Sequence, residues 1–334
     1  MVGQEMIEYS TINLSKMKKT KIQIFGMLLF TLFASLLFTG CDTEVEALQV
    51  QKLKTYDEQY YKNLREFKKS KHEISYAYYE AWSPVEGVSG TKYPASWGER
   101  ILGLPDSLDI VNLWMGIPTK DTHPLAYQDM KISQEKLGTR FVMHADASHY
   151  RHKFTVDGVD YDMAGSANIS DATMAAYAKW IVKQVVEPGL DGVDVDWEGW
   201  NGPNLVKLIN ELSKEFGPKG KDPSKLLIVD FFNSNPPTEI IPYCDYFVSQ
   251  SYSNQTGGIY HPAGFPYETM IYCETFGVFY ATGGRLLDYA RWQPATGRKG
   301  GVGVFFLGRN YYSSSGIPYN EFRKAIQIMN PAVH

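Results

Sequence analysis

The chain has 334 residues, with 33 basic and 37 acidic side chains for a net charge of −4, and is 44% hydrophobic and 14% aromatic. That length and apolar content support one large core, and the near balance of charge excludes a basic nucleic-acid face or a polyacidic tail. The 23 Tyr and 7 Trp suit sugar faces as well as a core, and composition alone does not separate the two.

The first sixteen residues carry no pattern. Met17-Lys18-Lys19-Thr20-Lys21 then gives a basic start, the expected true beginning of the protein, and the apolar run Ile22 to Phe38 ends at Thr39-Gly40-Cys41. This is the layout of a secretory signal. Small residues before a Cys resemble a bacterial lipoprotein signal, although Phe38 stands where Leu is usual. Residues 1–40 are therefore expected to be an N-terminal extension and signal peptide, with Cys41 lipidated and holding the protein to the membrane. The run is nearly long enough to span a bilayer, so an uncleaved anchor is the alternative. Both place the folded part outside the cytoplasm, in the cell envelope. The acidic stretch Asp42-Thr43-Glu44-Val45-Glu46 resembles a surface-export signal of an outer-membrane lipoprotein. Cys244 and Cys273 then remain, either to pair or to stay as buried thiols.

From Ala47 to Ser70, Leu48, Leu53, Tyr56, Tyr60, Leu64 and Phe67 recur at helical spacing without Gly or Pro. Residues 41–70 are thus read as a tether followed by a helix. Strands are expected at Ile74–Tyr79, Ile110–Trp114, Arg140–His144, Gly192–Glu198, Leu226–Phe231, Tyr246–Tyr252, Thr275–Tyr280 and Gly301–Leu307. Helices are expected at Trp97–Leu102, Pro124–Glu135, Ser170–Val186, Pro203–Phe216, Thr238–Ile241, Gly284–Arg291 and Asn320–Met329. Eight strands alternating with helices predict an α/β chain, a single (β/α)8 TIM barrel over residues 71–334.

The fourth strand carries the chemistry. Side chains alternate along a strand, so Asp194, Asp196 and Glu198 share one face and Val193, Val195 and Trp197 the other. Acids at alternate positions are often only a solvated face. Here the opposite face is apolar, and the segment is bounded by Pro188-Gly189 and Gly199. At the C-terminal end of a parallel strand such acids point at a ligand. Crowded carboxylates push proton uptake towards neutral pH, as general acid catalysis beside a retained carboxylate requires.

Asp191-Gly192-Val193-Asp194-Val195-Asp196-Trp197-Glu198 matches the DGxDxDxE motif at every fixed position and so resembles glycoside hydrolase family 18. The tail from Pro318 to Gln327 and the opening from Tyr61 to His72 look like its secreted gut-bacterial endo-β-N-acetylglucosaminidase branch. The resemblance, applied to residues 59–334, implies a substrate-assisted mechanism, which sets this family apart from the two-carboxylate scheme. Glu198 would protonate the leaving oxygen and later activate water. Asp196 would hold the substrate's 2-acetamido group, whose carbonyl oxygen attacks the anomeric carbon to give an oxazolinium. Asp194 would share a proton or hydrogen bond with Asp196, and an anionic Asp196 would raise the proton affinity of Glu198. Asp191, on the opposite face, is read as structural. Tyr252 corresponds to the family Tyr that hydrogen-bonds the acetamido carbonyl, with Gln250 on the same face. Chitinases of the family usually carry Met-x-Tyr-Asp there, so Gln250 and Ser253 favour the endoglycosidase branch. The short stretch between strands seven and eight leaves no room for an extra α+β domain, which implies an open site.

Phe305 stands where many relatives place a Trp beneath the sugar and is expected to form an apolar floor. The Gly300-Gly301-x-Gly303 run precedes a strand rather than a helix and is not a phosphate loop. Glu80, Trp82, Trp114, Asn233 and Glu274 are further candidate sugar contacts, with Tyr78, Asn112, His144 and Asp146. The cluster His144, Asp146, His149 and His152 has no metal-ligand spacing, and no metal or cofactor is expected. The implied function is cleavage of the chitobiose core of N-glycans on glycoprotein substrates by a monomer. A chitinase-like hydrolase and a non-catalytic glycan-binding lipoprotein are the alternatives.

Overall fold

A computed structural model describes residues 55–82, 96–147, 153–163, 168–199, 201–252, 257–313 and 315–332. Residues 1–54 fall outside this set, so the expected signal, the lipidated Cys41 and the acidic stretch after it lie outside the described residues. Among the described residues no helix is long and apolar enough to cross a membrane.

Helix α1 (Glu58–Lys69) starts where the Asp57 carboxylate accepts the Tyr60 amide at 2.8 Å and ends on Lys68 and Lys69, so both ends suit the helix dipole. Lys68 Nζ donates to Leu108 O at 2.6 Å and Thr139 Oγ1 at 2.9 Å, which fastens the helix to the barrel. The strands are β1 (Ile74–Tyr78), β2 (Ile110–Leu113), β3 (Arg140–Asp146), β4 (Lys153–Val156), β5 (Val159–Asp162), β6 (Gly192–Trp197), β7 (Leu226–Phe231), β8 (Tyr246–Gln250), β9 (Met270–Thr275) and β10 (Gly301–Phe305). Eight of them, all but β4 and β5, form a closed parallel barrel in the order β1-β2-β3-β6-β7-β8-β9-β10. This is the (β/α)8 fold expected from the sequence. The crossovers include α2 (Pro124–Ile132), α3 (Asp171–Val186), α4 (Gly202–Leu212), α5 (Phe276–Phe279), α6 (Leu286–Arg291) and α7 (Asn320–Met329).

Two elements differ from expectation. The seventh barrel strand is Met270–Thr275 rather than Thr275–Tyr280. Its six residues are all buried, so it shows no alternation, whereas Phe276–Phe279 folds as a helical turn capped by Thr275, whose Oγ1 accepts the Gly277 amide at 3.1 Å. An antiparallel hairpin, β4–β5, lies between β3 and α3 in the chain and was not expected; its turn residues Asp157 and Gly158 both have positive φ, 53° and 78°.

The outer core lies between the strands and the helices, while a second cluster fills the barrel with Ile74, Tyr76, Tyr78, Ile110, Val142, Ile228, Val248 and Cys273. Tyrosines fit this interior because β10 contributes glycines. A Cβ on Gly303 would lie 2.4 Å from Cys273 Sγ and 3.2 Å from Tyr76 Cβ. Cys244 and Cys273 are both buried free thiols.

Candidate active site

Strand β6 enters the barrel through Gly192, whose φ of 148° and close approach exclude a side chain: a Cβ there would lie 2.2 Å from the Leu226 carbonyl oxygen. Asp191, just before it, accepts the Phe141 amide at 2.8 Å and Gln134 Nε2 at 2.7 Å, so it ties β6 to β3 at the entry end. The alternation beyond Gly192 then directs Asp194 and Asp196 into the barrel. Glu198 follows the strand end, exposed at the mouth, and Gly199, with a φ of 86°, turns the chain away.

The lowest acid, Asp194, is fully buried. Its Oδ2 accepts the Tyr76 hydroxyl and Asn112 Nδ2, the latter at 2.9 Å. Asn112 Nδ2 also reaches the Tyr76 hydroxyl at 2.9 Å. The other oxygen of Asp194, Oδ1, is buried with no hydrogen-bond partner. Burial pushes the Asp194 carboxyl up to about 6 against those donors.

Asp196 is half-buried, and Gln250 Nε2 donates to its Oδ1 at 3.2 Å. Burial first, then the charges of Glu198, Asp194 and Asp146, push it up to about 8. Burial costs Asp196 its hydration as an anion, and this is the largest cause of its raised proton affinity. His144 Nε2 lies 3.6 Å from Asp196 Oδ2, but burial pushes the imidazole down to about 4, so this is a contact with a neutral ring.

A third acid, Asp230 on β7, completes the cluster. The parallel register sets it opposite Asp196, and it is fully buried. Its Oδ2 accepts the Tyr78 hydroxyl and Gln250 Nε2, the latter at 3.1 Å, so one amide spans two carboxyls. Burial and the neighbouring Asp194 and Asp196 raise the Asp230 carboxyl well above the usual range. Sequence reasoning passed over Asp230. The available signal was a single acid inside Leu226-Leu227-Ile228-Val229-Asp230-Phe231, a strand otherwise apolar and buried at every position.

An aromatic wall stands beside the acids. Tyr252 stacks on Phe305 at 5.5 Å and 22°, and Trp114 meets Phe305 edge-on at 4.8 Å and Phe306 at 5.0 Å. Phe306 holds a left-handed backbone, φ 61°, at the end of β10. Burial raises the Tyr252 hydroxyl well above its usual value, so it remains a hydrogen-bond donor at working pH. A cleft of about 330 Å³ continues from Gln250 along Phe232, Asn233, Asn235 and Tyr260.

Residues 42–261 match glycoside hydrolase family 18, BT1044-like. The chain belongs to glycoside hydrolase family 18. It is 31% identical over 307 residues to endo-beta-N-acetylglucosaminidase F2 of Elizabethkingia meningoseptica, across 80% of this chain and 85% of that protein. Among solved structures, BT1044 aligns with a TM-score of 0.65 at 20% identity over 82% of this chain and 93% of its own. An endo-beta-N-acetylglucosaminidase from Cordyceps militaris aligns with a TM-score of 0.60 at 23% identity over 83% and 98%. Both structural likenesses show the fold.

In this family 18 barrel the remaining sequence candidates separate by place. Gln250, Tyr252, Trp114, Phe305 and Asn233 gather with the acids or along the adjoining cleft. Tyr78 and Asn112 lie beneath the site as donors to Asp230 and Asp194. Glu274 is not brought in. The β9 register turns Cys273 inward and Glu274 outward, where its carboxylate accepts the Thr275 amide at 2.7 Å and the Arg285 amide at 2.8 Å. Glu80 is buried beneath Gly308, whose amide it accepts at 3.3 Å, and burial pushes it up to about 7. Trp82 is buried in the outer core, edge-on to His123 at 5.3 Å. These three hold the loops after β1, β9 and β10. Among the described residues no group of three His, Cys, Asp or Glu side chains is placed to hold a metal; His149 and His152 lie outside them.

Proposed function

We propose that this protein is an endo-β-N-acetylglucosaminidase that hydrolyses the N-acetylglucosamine-β1,4-N-acetylglucosamine (GlcNAc-β1,4-GlcNAc) core of N-glycans with retention of configuration. The observation that carries the reading is the placement of an exposed Glu198 at the mouth directly above a half-buried Asp196, in a chain 31% identical to a named endo-beta-N-acetylglucosaminidase. A retaining enzyme with its own nucleophile needs two carboxylates facing the scissile bond. Asp196 instead sits in the barrel, engaged by Gln250, where it is suited to accept the acetamido N–H.

Glu198 gives its proton to the glycosidic oxygen as the anomeric C–O bond breaks. The acetamido carbonyl oxygen bonds to the anomeric carbon, and Asp196 accepts the N–H and faces the positive charge of the oxazolinium. The Tyr252 hydroxyl donates to the reacting carbonyl oxygen and aligns it. Glu198, now a carboxylate, takes a proton from water as that water attacks the anomeric carbon and reopens the ring, restoring the β-anomer. Trp114 and Phe305 offer apolar surface to a sugar face. Only two short helices lie between β9 and β10, which supports an open site for a branched glycan over the deep groove suited to a linear polymer.

The protein is placed by this reading at the cell envelope, lipidated at Cys41, surface-exposed on the outer membrane and acting as a monomer on glycoprotein substrates. That part rests on the sequence between Met17 and Glu46. Mass spectrometry after incubation with a glycoprotein panel and chito-oligomers tests the activity. One GlcNAc left on Asn is the expected result. Shortening of chito-oligomers alone would make the protein a chitinase, and binding without cleavage would make it a glycan receptor.

A further inference from the structure

We propose that Asp230 is a positioning residue that shares a proton with Asp196, so that the anion beneath the acetamido group is held from the neighbouring strand β7 as well as from its own strand. The proposal rests on the reading of Asp196 as the acetamido acceptor.

Geometry singles out Asp230. In a parallel barrel the residue opposite on the next strand is about 4.8 Å away with its side chain in the same direction, whereas a residue two positions along the same strand is about 6.6 Å away. Asp230 is opposite Asp196, within hydrogen-bonding reach of its carboxyl, and Asp194 is two positions along. Gln250 Nε2 binds both Asp196 and Asp230, which holds the two carboxyls in one frame. On Asp230, Oδ2 already accepts from Tyr78 and Gln250, while Oδ1 is buried with no hydrogen-bond partner; Asp194 Oδ1 is equally bare, but Asp194 does not share the Gln250 amide with Asp196. A bare carboxylate oxygen there is costly. A proton on Asp230, donated to Asp196, removes that cost and stabilises Asp196 as the anion.

The surrounding groups agree with a shared proton. Facing the pair are Asp194 and Glu198 from β6 and its end, His144 and Asp146 from β3, Tyr76 and Tyr78 from β1, Tyr252 after β8 and Cys273 from β9. The histidine is neutral through burial, and burial likewise keeps the tyrosines and the thiol protonated, so these groups supply no counter-charge to two bare carboxylates.

The sign of one shift decides between sharing and simple proximity. If Asp230 donates to Asp196, Asp230→Asn replaces a carboxyl O–H with a weaker amide donor, and Asp196 becomes harder to ionise. The acid limb of kcat against pH then moves up by about one unit, a ~10-fold loss at its acid end. The ¹³C carboxyl titration of Asp196, assigned by its absence in Asp196→Asn, moves the same way. A downward shift in Asp230→Asn would make Asp230 a plain charge neighbour and overturn the proposal. An unmoved titration with turnover lowered equally at every pH would reduce it to a structural residue and overturn it as well. Failure of the wild-type protein to cleave glycan would defeat the functional reading, while the carboxyl titration would still report the sharing.

Discussion

Glu198→Gln lowers turnover by at least ~10²-fold while glycan binding survives. The substitution keeps the shape and hydrogen-bonding capacity of the side chain and removes its acidity. Glu198 is exposed beyond the end of β6, with Gly199 turning the backbone away after it, so the change disturbs no packed core. An amide cannot protonate the leaving oxygen, and in the second half of the reaction it cannot accept a proton from water. Both steps are affected, and KM follows binding alone. Parallel measurement of kcat and of glycan affinity by calorimetry checks the prediction; turnover within a few-fold of wild type would remove Glu198 from its role.

Asp196→Asn has an effect of similar size on turnover, ~10²–10³-fold, and an opposite effect on stability. The loss of rate follows because an amide lacks the charge that faces the oxazolinium. The gain in stability follows from linkage. An unfolded Asp titrates near 4, whereas Asp196 in the fold is pushed up to about 8, chiefly by burial. Between these values the folded state holds a proton, shared within the Asp196–Asp230 pair, that the unfolded state has released, so the contribution is full below about pH 4 and is lost as pH rises through about 8. The neutral amide has no such loss. The Tm of Asp196→Asn relative to wild type is therefore near zero difference at about pH 4 and rises to a plateau above about pH 8. Thermal melts across that range, with kcat at each pH, test both halves. A Tm difference that did not grow with pH would contradict the burial of charge at Asp196.

Much of this site is legible in the sequence, for identifiable reasons. Strand β6 alternates, so its acids and its apolar residues declare their faces, and Asp191 and Gly192 fall where a cross-strand tie and a side-chain-free position are needed. Periodicity fails where both faces of a strand are buried. Met270–Cys273 reads as an apolar run without alternation, so the expected seventh strand falls at Thr275–Tyr280, and Glu274 reads as a site residue although its side chain faces out of the barrel. The hairpin escapes notice although Asp157-Gly158 is a turn pair that demands positive φ. Asp230 is hidden for a different reason. An isolated acid in an apolar strand has no pattern of its own, and only the register between β6 and β7 shows that it meets Asp196. Contacts of that kind are set by the closure of the barrel rather than by any local stretch of chain.

The central claim is that the substrate, not the protein, supplies the nucleophile. It is tested most directly with a series of chitobiose-core substrates whose 2-acetamido group carries zero, one, two or three fluorines. Fluorine draws electrons from the carbonyl oxygen and weakens its attack while leaving the leaving group unchanged. Substrate assistance predicts that kcat falls steadily along the series, at least ~10-fold from first to last. A kcat that stays level along the series would mean that a carboxylate of the protein attacks the anomeric carbon and would contradict the account.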